Sequence, residues 1–220
     1  MIHLLKLGGS LIAESPRILK YLNKTINPDN KVIIVPGGSI FADNIREIAE
    51  EYNVNDSTAH WMAILAMEQY AYYLAGNVEN IELVHDTTQI TSTISILLPY
   101  TYIRKMGLAS KLPQNWDITS DSITAMIAHE LGLNKFIKVT DVDGILDYNN
   151  DNEVIERIST AELSKMNSSC TDKHLPIFLE RSSMQCIVVN GKYPNRIARI
   201  INEEVVLGTT IYPHNNIQTV

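Results

Sequence analysis

Lys6-Leu7-Gly8-Gly9-Ser10, repeated in outline as Val35-Pro36-Gly37-Gly38-Ser39, is the stretch on which the fold turns. Each copy follows a short apolar run, residues 2–7 and 31–36 (KVIIVP), that reads as a buried strand. Each precedes a helical pattern, near 15–25 and 40–53. Glycine at such a hand-over lets backbone N–H groups come close to an anion, and the helix start adds positive potential. One Gly-Gly turn is commonly no more than a tight turn. Two of them on the first two strands, the first with a lysine two residues ahead, point to phosphate. The pattern is not a P-loop, whose lysine follows the glycines, nor a G-x-G-x-x-G fingerprint, which disfavours a Rossmann oxidoreductase.

Outward from these turns, short apolar runs continue to alternate with amphipathic stretches. Strands are predicted at 81–85, 94–98, 135–140 and 186–190, and helices at 56–75, 120–132, 159–166 and 194–204. Strands alternating with helices imply an α/β fold with a parallel or mostly parallel sheet covered on both faces. No internal repeat and no Pro/Gly/Ser-rich linker interrupts the chain, so residues 1–220 read as one domain, with 105–118 and 147–153 its most irregular loops. The 56–75 helix, opened by Asp56-Ser57-Thr58 as candidate caps, is apolar on nearly every side and is expected to be buried all round.

Composition narrows the function classes. The 220 residues are 45% hydrophobic and carry a formal net charge of -7, with no basic stripe of the kind nucleic-acid binding needs. The two cysteines, Cys170 and Cys186, form no C-x-x-C or Cys/His spacing, which predicts a reduced, cytoplasmic protein with no protein-held metal. No signal peptide and no apolar run of roughly 20 residues is present, so no membrane association is expected.

Two further motifs carry chemistry. Trp116-Asp117-Ile118-Thr119-Ser120-Asp121-Ser122-Ile123 runs into a helix, where Ser120 or Asp121 could be a plain N-terminal cap. Lys138-Val139-Thr140-Asp141-Val142-Asp143-Gly144-Ile145 ends a strand in an Asp/Gly turn. A calcium loop fails there on both registers: counted from Asp141 the glycine comes two positions early, and counted from Asp147 the twelfth residue is Ile158.

The order K-x-GGS, PGGS, SD at a helix start and K-x-TDVDGI resembles the amino acid kinase superfamily through most of the chain, ending at Gly208-Thr209-Thr210-Ile211. The resemblance implies a three-layer α/β/α sandwich with nucleotide over the C-terminal half and acceptor over the N-terminal half. His60-Trp61-Met62-Ala63-Ile64, Leu98-Pro99-Tyr100, Leu112-Pro113 and the Trp116–Ser122 stretch are similar to one archaeal branch. That branch phosphorylates (5-(aminomethyl)furan-3-yl)methyl phosphate to the diphosphate in methanofuran biosynthesis. Residues 107–111 (GLASK) and Asn115 depart from the branch's pattern, near the presumed acceptor loop.

From that resemblance come the expected roles. Lys6 would meet the transferring phosphoryl group of ATP, the N–H groups of Gly8, Gly9, Gly37 and Gly38 would cradle it, and Ser10 would stand beside them. Asp121 would hold the lysines, and Lys173 would be a second lysine on the donor phosphates. Lys138, Thr140, Asp141 and Gly144 would line the nucleotide site, with Mg²⁺ arriving on the ATP phosphates. Arg46, His60 and Arg104 are the candidates for the acceptor's phosphate, and Asp117 or Asp56 for a substrate amine. The 56–75 helix is expected to pack against its copy in a homodimer. The reading from another class is a nucleotide-binding, oxoanion-storage protein of the same fold, and kinases for isopentenyl phosphate or an amino acid are alternatives within it.

Overall fold

The structure is a computed structural model and describes residues 1–147, 151–166 and 168–214, so residues 148–150 of the predicted 147–153 loop lie outside it. Ten strands and eight α-helices are described. The first half holds β1 (Ile2–Leu7), α1 (Ser15–Thr25), β2 (Lys31–Pro36), α2 (Ser39–Glu51), α3 (Asp56–Gly76), β3 (Glu82–Val84), β4 (Ile94–Leu97) and α4 (Pro99–Lys105). The second holds α5 (Ser120–Glu130), β5 (Lys135–Thr140), β6 (Leu146–Asp147), β7 (Glu153–Val154), β8 (Arg157–Ser159) and α6 (Thr160–Leu163). It closes with α7 (Leu175–Ser182), β9 (Gln185–Asn190), α8 (Pro194–Ile201) and β10 (Thr209–Tyr212).

Eight strands form one sheet in the order β3-β4-β2-β1-β5-β9-β10-β8, and β6 pairs with β7 in a small hairpin. All neighbours in the large sheet are parallel except β9 and β10. Because side chains alternate along a strand, β1 and β5 feed two cores. Leu4 and Phe136 face a core shared with Ile123 and Ile127 of α5 and Leu175 and Leu179 of α7. Leu5, Leu7, Ile137 and Val139 face the other, shared with Leu19 and Leu22 of α1 and Ile197 of α8. The result is a three-layer α/β/α sandwich with a mostly parallel sheet.

Topology decides where a ligand can sit. After β1 the chain builds β2, β4 and β3 to one side, then crosses to lay β5 and β9 on the other. Parallel sheets open a crevice at the carboxyl ends of strands where the winding reverses. Here the reversal falls between β1 and β5, and those ends carry Gly8-Gly9-Ser10 and Asp141-Val142-Asp143-Gly144.

Four expectations are corrected. The helix predicted over 159–166 is only Thr160–Leu163, opened by a capping box between Ser159 and Glu162. The helices α4 and α7 were not predicted; each is short and starts with proline in its first turn, too brief to show a periodicity. The cap of α3 is Asn55, whose side chain accepts from Thr58 N–H at 3.0 Å, rather than any of residues 56–58. Nor does one chain bury α3 all round, since Leu65 and Tyr72 stay 40% and 60% exposed. Among the described residues, no helix is long and apolar enough to cross a membrane.

Candidate active site

Lys6 and Lys138 are register partners on the adjacent parallel strands β1 and β5. Both point to the α5 side of the sheet, in step with Leu4 and Phe136. Asp121, in the first turn of α5, meets them there: its Oδ1 lies 2.9 Å from Lys6 Nζ and 2.5 Å from Lys138 Nζ. All three residues are buried. Burial alone would raise the Asp121 carboxyl, but the Lys138 and Lys6 ammonium groups outweigh it and hold it well below the usual carboxylate range. Burial pulls Lys6 below its ordinary value against the attraction of Asp121, whereas at Lys138 that attraction wins and lifts the group. Two cations on one anion leave the cluster with one excess positive charge in a low-dielectric setting, a device for attracting an anion.

The two glycine turns pack against each other. A Cβ on Gly37 would come within 2.9 Å of Gly9 N, and one on Gly9 would land on the backbone of Ser39. Ser39 itself has φ of 52°, a left-handed conformation uncommon outside glycine, and its Oγ donates to Gly9 O at 3.1 Å. The glycines do not all offer free donors, however. Gly8 N–H donates to Val139 O and Gly37 N–H to Leu7 O, each at 2.8 Å. These bonds extend the parallel ladder by one rung, so the expected cradle of four N–H groups narrows to Gly9 and Gly38.

Of two neighbouring cavities, one opens on the cluster and the other reaches only Thr119 and Ser120 beside Asp121. The larger, about 470 Å³, is lined by Lys6, Gly8, Gly9, Ser10, Asp121, Lys138, Thr140, Asp141 and Gly144, with residues 168–172 as its far wall. Ser10 Oγ donates to Asp141 Oδ1 at 2.9 Å across it. Gly144 is there for packing, since a Cβ would run into Thr209 Oγ1 and Val154. The smaller cavity, about 130 Å³, is lined by Gly38, Arg46, His60, Trp116 and a surround of apolar side chains from α3 and α5. Thr119 lines both. Arg46 lies over the Trp116 ring, 5.3 Å from its centroid, and pairs with Asp43 at 2.5 Å. His60 is buried, with Nδ1 3.2 Å from Asn115 O and Nε2 without a partner among the described residues. A carbonyl oxygen only accepts, so Nδ1 carries the proton. Burial lowers the pKa of the ring, which leaves it neutral and Nε2 a lone pair.

Four of the expected site residues, Asp117 among them, stand apart from both cavities. Lys173 is 85% exposed and pairs with Asp117 at 3.2 Å outside both cavities; Lys138 is the lysine that joins Lys6. Arg104 lies over the Trp61 ring at 5.7 Å, and Asp56 sits exposed at the start of α3. Nor does Asp121 cap α5. That task falls to Asp172, which no sequence motif singles out: its carboxylate accepts from Thr119 N, Thr119 Oγ1, Ser122 N, Ser122 Oγ and Leu175 N, at 2.6–3.0 Å. Both cysteines are free, and burial pushes both thiols up, so they stay protonated. Among the described residues, no group of three His, Cys, Asp or Glu side chains converges as metal ligands would.

The sequence matches the profile of the amino acid kinase family over residues 1–190. It is 31% identical over 205 residues to the [5-(aminomethyl)furan-3-yl]methyl phosphate kinase of Methanocaldococcus jannaschii, covering 91% of this chain and 93% of that one. It is 25% identical to the uridylate kinase of Methanococcus aeolicus, covering 94% and 97%. Among solved structures, the uridylate kinase of Archaeoglobus fulgidus is similar with a TM-score of 0.68 at 19% identity, over 96% of this chain and all of that one.

Proposed function

The chain belongs to the amino acid kinase family, and on that premise we propose that it transfers the γ-phosphoryl group of ATP to the phosphate of a small phosphomonoester, with (5-(aminomethyl)furan-3-yl)methyl phosphate as the acceptor. The observation that carries this reading is the meeting of the two cavities at Thr119 and the paired glycine turns, beside a buried cluster with one excess positive charge. Donor phosphates fit the larger cavity, which has the volume, the lysines and the Gly9 N–H for them. ATP supplies the transferable phosphoryl group there. Of the cavity's carboxylates, Asp121 and Asp172 are engaged at both oxygens, whereas Asp141 accepts from Ser10 and Thr140 at Oδ1, so its Oδ2 would be the one to meet a magnesium ion carried on the phosphates, directly or through water.

Phosphoryl transfer asks mainly for positioning and charge neutralisation. An acceptor phosphate needs no general base, because its attacking oxygen is already ionised near neutral pH. Lys6 and Lys138 neutralise charge on the transferring group, and Asp121 keeps the two ammonium groups from parting. Attack forms the new P–O bond as the bond to ADP breaks, and the products are ADP and a diphosphate monoester.

The smaller cavity supports a small acceptor. Its volume of about 130 Å³ lies below the roughly 300–1,000 Å³ of pockets for drug-sized ligands. Its apolar wall and Trp116 suit a flat ring better than a base with its ribose. Arg46 and His60, which line the cavity with Gly38, would take the phosphate. A phosphomonoester has its second pKa near ~6, so one proton shared between it and Nε2 satisfies the orphaned nitrogen. Asp117, exposed and paired with Lys173 outside the cavity, would have to turn from that lysine to meet the amine. We further take the working form to be a homodimer through α3, whose Leu65 and Tyr72 are left exposed by a single chain.

The test is turnover with ATP, Mg²⁺ and a panel of acceptors. The aminomethylfuran phosphate should be the best substrate, ahead of isopentenyl phosphate and UMP, with acetylglutamate and aspartate inactive. Preference for UMP or for an amino acid would overturn the acceptor assignment. ATP binding with no turnover on any acceptor would point to the storage class instead.

A further inference from the structure

Asp172 makes more contacts than a helix cap requires. Thr119, at the cap position of α5, has a hydroxyl that could accept from the Ser122 N–H in the ordinary local way. Instead, Thr119 Oγ1 donates to Asp172, and Ser122 N–H donates to Asp172 as well, across 53 and 50 residues of chain. Leu175 N–H, at the start of α7, donates to the other carboxylate oxygen at 2.8 Å. One side chain thus ties the starts of two helices together. The residue so pinned has its own backbone N–H aimed at Asp121, donating to Oδ2 at 3.2 Å. Asp121 Oδ1 holds both lysines, so this N–H is the donor that fixes the other half of its carboxylate.

We propose that Asp172 is a positioning residue for phosphoryl transfer, setting the orientation of the Asp121 carboxylate and, through it, of Lys6 and Lys138. A carboxylate held at both oxygens cannot turn about its last bond. Freed at Oδ2, it can swing Oδ1 out from between two ammonium groups that repel each other. Misplacement of reacting or neutralising groups by about 1 Å costs on the order of 10²-fold in rate. Asp172 also ends the segment 168–172 that walls the nucleotide cavity, so the same clamp joins that wall to the lysine cluster. A local cap by Thr119 would also satisfy the Ser122 N–H and would give neither connection.

The inference rests on the kinase assignment and not on the choice of acceptor. It is tested by a double-mutant cycle with Asp172→Asn and Asp121→Asn, using the acceptor that gives the wild type its highest rate, well below the melting temperature of the weakest variant. Asp172→Asn alone should lower kcat at least tenfold with the KM for ATP changed less than threefold. Added to Asp121→Asn it should cost less than twofold further, because the group it positions is already gone. A cap with no catalytic part would lower Tm and leave kcat alone; that result, or penalties that multiply in the double variant, would overturn the proposal. Ser122→Ala removes the shortest of the five bonds, 2.6 Å, while keeping Asp172. It runs the same cycle with a milder loss if Asp172→Asn does not fold. A crystal structure of the Asp172→Asn or Ser122→Ala variant decides between the two roles without any turnover. Asp121 rotated off one lysine is expected, and both lysine contacts intact with Oδ2 unpartnered would refute the proposal. A wrong acceptor appears only in the wild-type panel, a wrong clamp only in the cycle and the variant structure.

Discussion

Lys6, Lys138 and Asp121 place two positive charges and one negative in a buried site, and the imbalance separates catalysis from stability. Lys6→Ala brings the cluster to neutrality, so the cost of burying an uncompensated ammonium disappears. Tm should therefore hold or rise, while preorganised charge on the transferring group is lost, worth roughly 3–4 kcal/mol or about 10²–10³ in rate. Near-normal turnover, or a collapse in Tm, would contradict the role given to Lys6. Lys6 and Asp121 were legible in the sequence because glycine turns and a helix start flank them. The pairing of Lys138 with Asp121 was not, because register between β1 and β5 is set by tertiary packing. Asp172 was illegible for a similar reason, its partners standing 50 and 53 residues away. His60 carries a pH prediction whose sign follows from its lowered pKa. Above about pH 7 the free ring is neutral and the free acceptor is a dianion, yet the complex holds one shared proton. Binding then takes up a proton, and the acceptor KM should climb by up to tenfold per pH unit toward pH 8.5. In His60→Phe the acceptor KM should be higher throughout and flatter with pH, with the KM for ATP unmoved in both proteins. A pH-independent acceptor KM in the wild type would remove His60 from the phosphate.

Among the elements, the glycine turns were readable as positions but not as a contact. Their sequence suggested a row of N–H groups all facing a ligand. The structure instead uses Gly8 and Gly37 to lengthen the sheet and Gly9 to let the second turn lie against the first. Gly9→Ala puts a methyl group onto the Ser39 backbone, which already sits at positive φ, and overpacking of this kind costs roughly 1–3 kcal/mol. Gly76, at the last turn of α3 with nothing within 4 Å of a built Cβ, is the matched control. There alanine should stabilise the chain by up to about 1 kcal/mol through its helix preference. Denaturant melts of the two variants check both signs, and activity should fall only in Gly9→Ala. Destabilisation of equal size at the two positions would mean that the paired turns are not the tight contact described. Long periodic elements, β1, β2, α1 and α3, stand within one or two residues of their predicted bounds. The short ones, α4, α7 and β8, were missed because three to eight residues carry too little pattern to separate helix, strand and loop.

For the whole molecule, the parallel α/β class followed from alternation, but strand order and the antiparallel β10 did not, since nothing local records which strand lies beside which. What remains open to test at this scale is how α3 is covered. Leu65, Gln69 and Tyr72 fall at helical spacing along one exposed stripe, in a helix otherwise packed into both cores. A second copy docking by a two-fold axis would present the same stripe to itself, so every substitution counts twice in the interface. Each chain carries a formal charge of -7, so the two copies repel, and that repulsion is screened beyond about 8–10 Å at physiological ionic strength. An apolar contact survives salt while the opposing charge term fades. The dimer should therefore tighten as sodium chloride is raised, the reverse of an interface held by ion pairs. Leu65→Glu with Tyr72→Glu adds four carboxylates to the interface and should give monomers by sedimentation at micromolar concentration. A single chain by itself assembles the lysine cluster and the paired glycine turns, so the monomeric variant should keep measurable turnover. A wild-type protein that sediments as a monomer at high salt, or a double variant that remains dimeric, would show that α3 is not the contact.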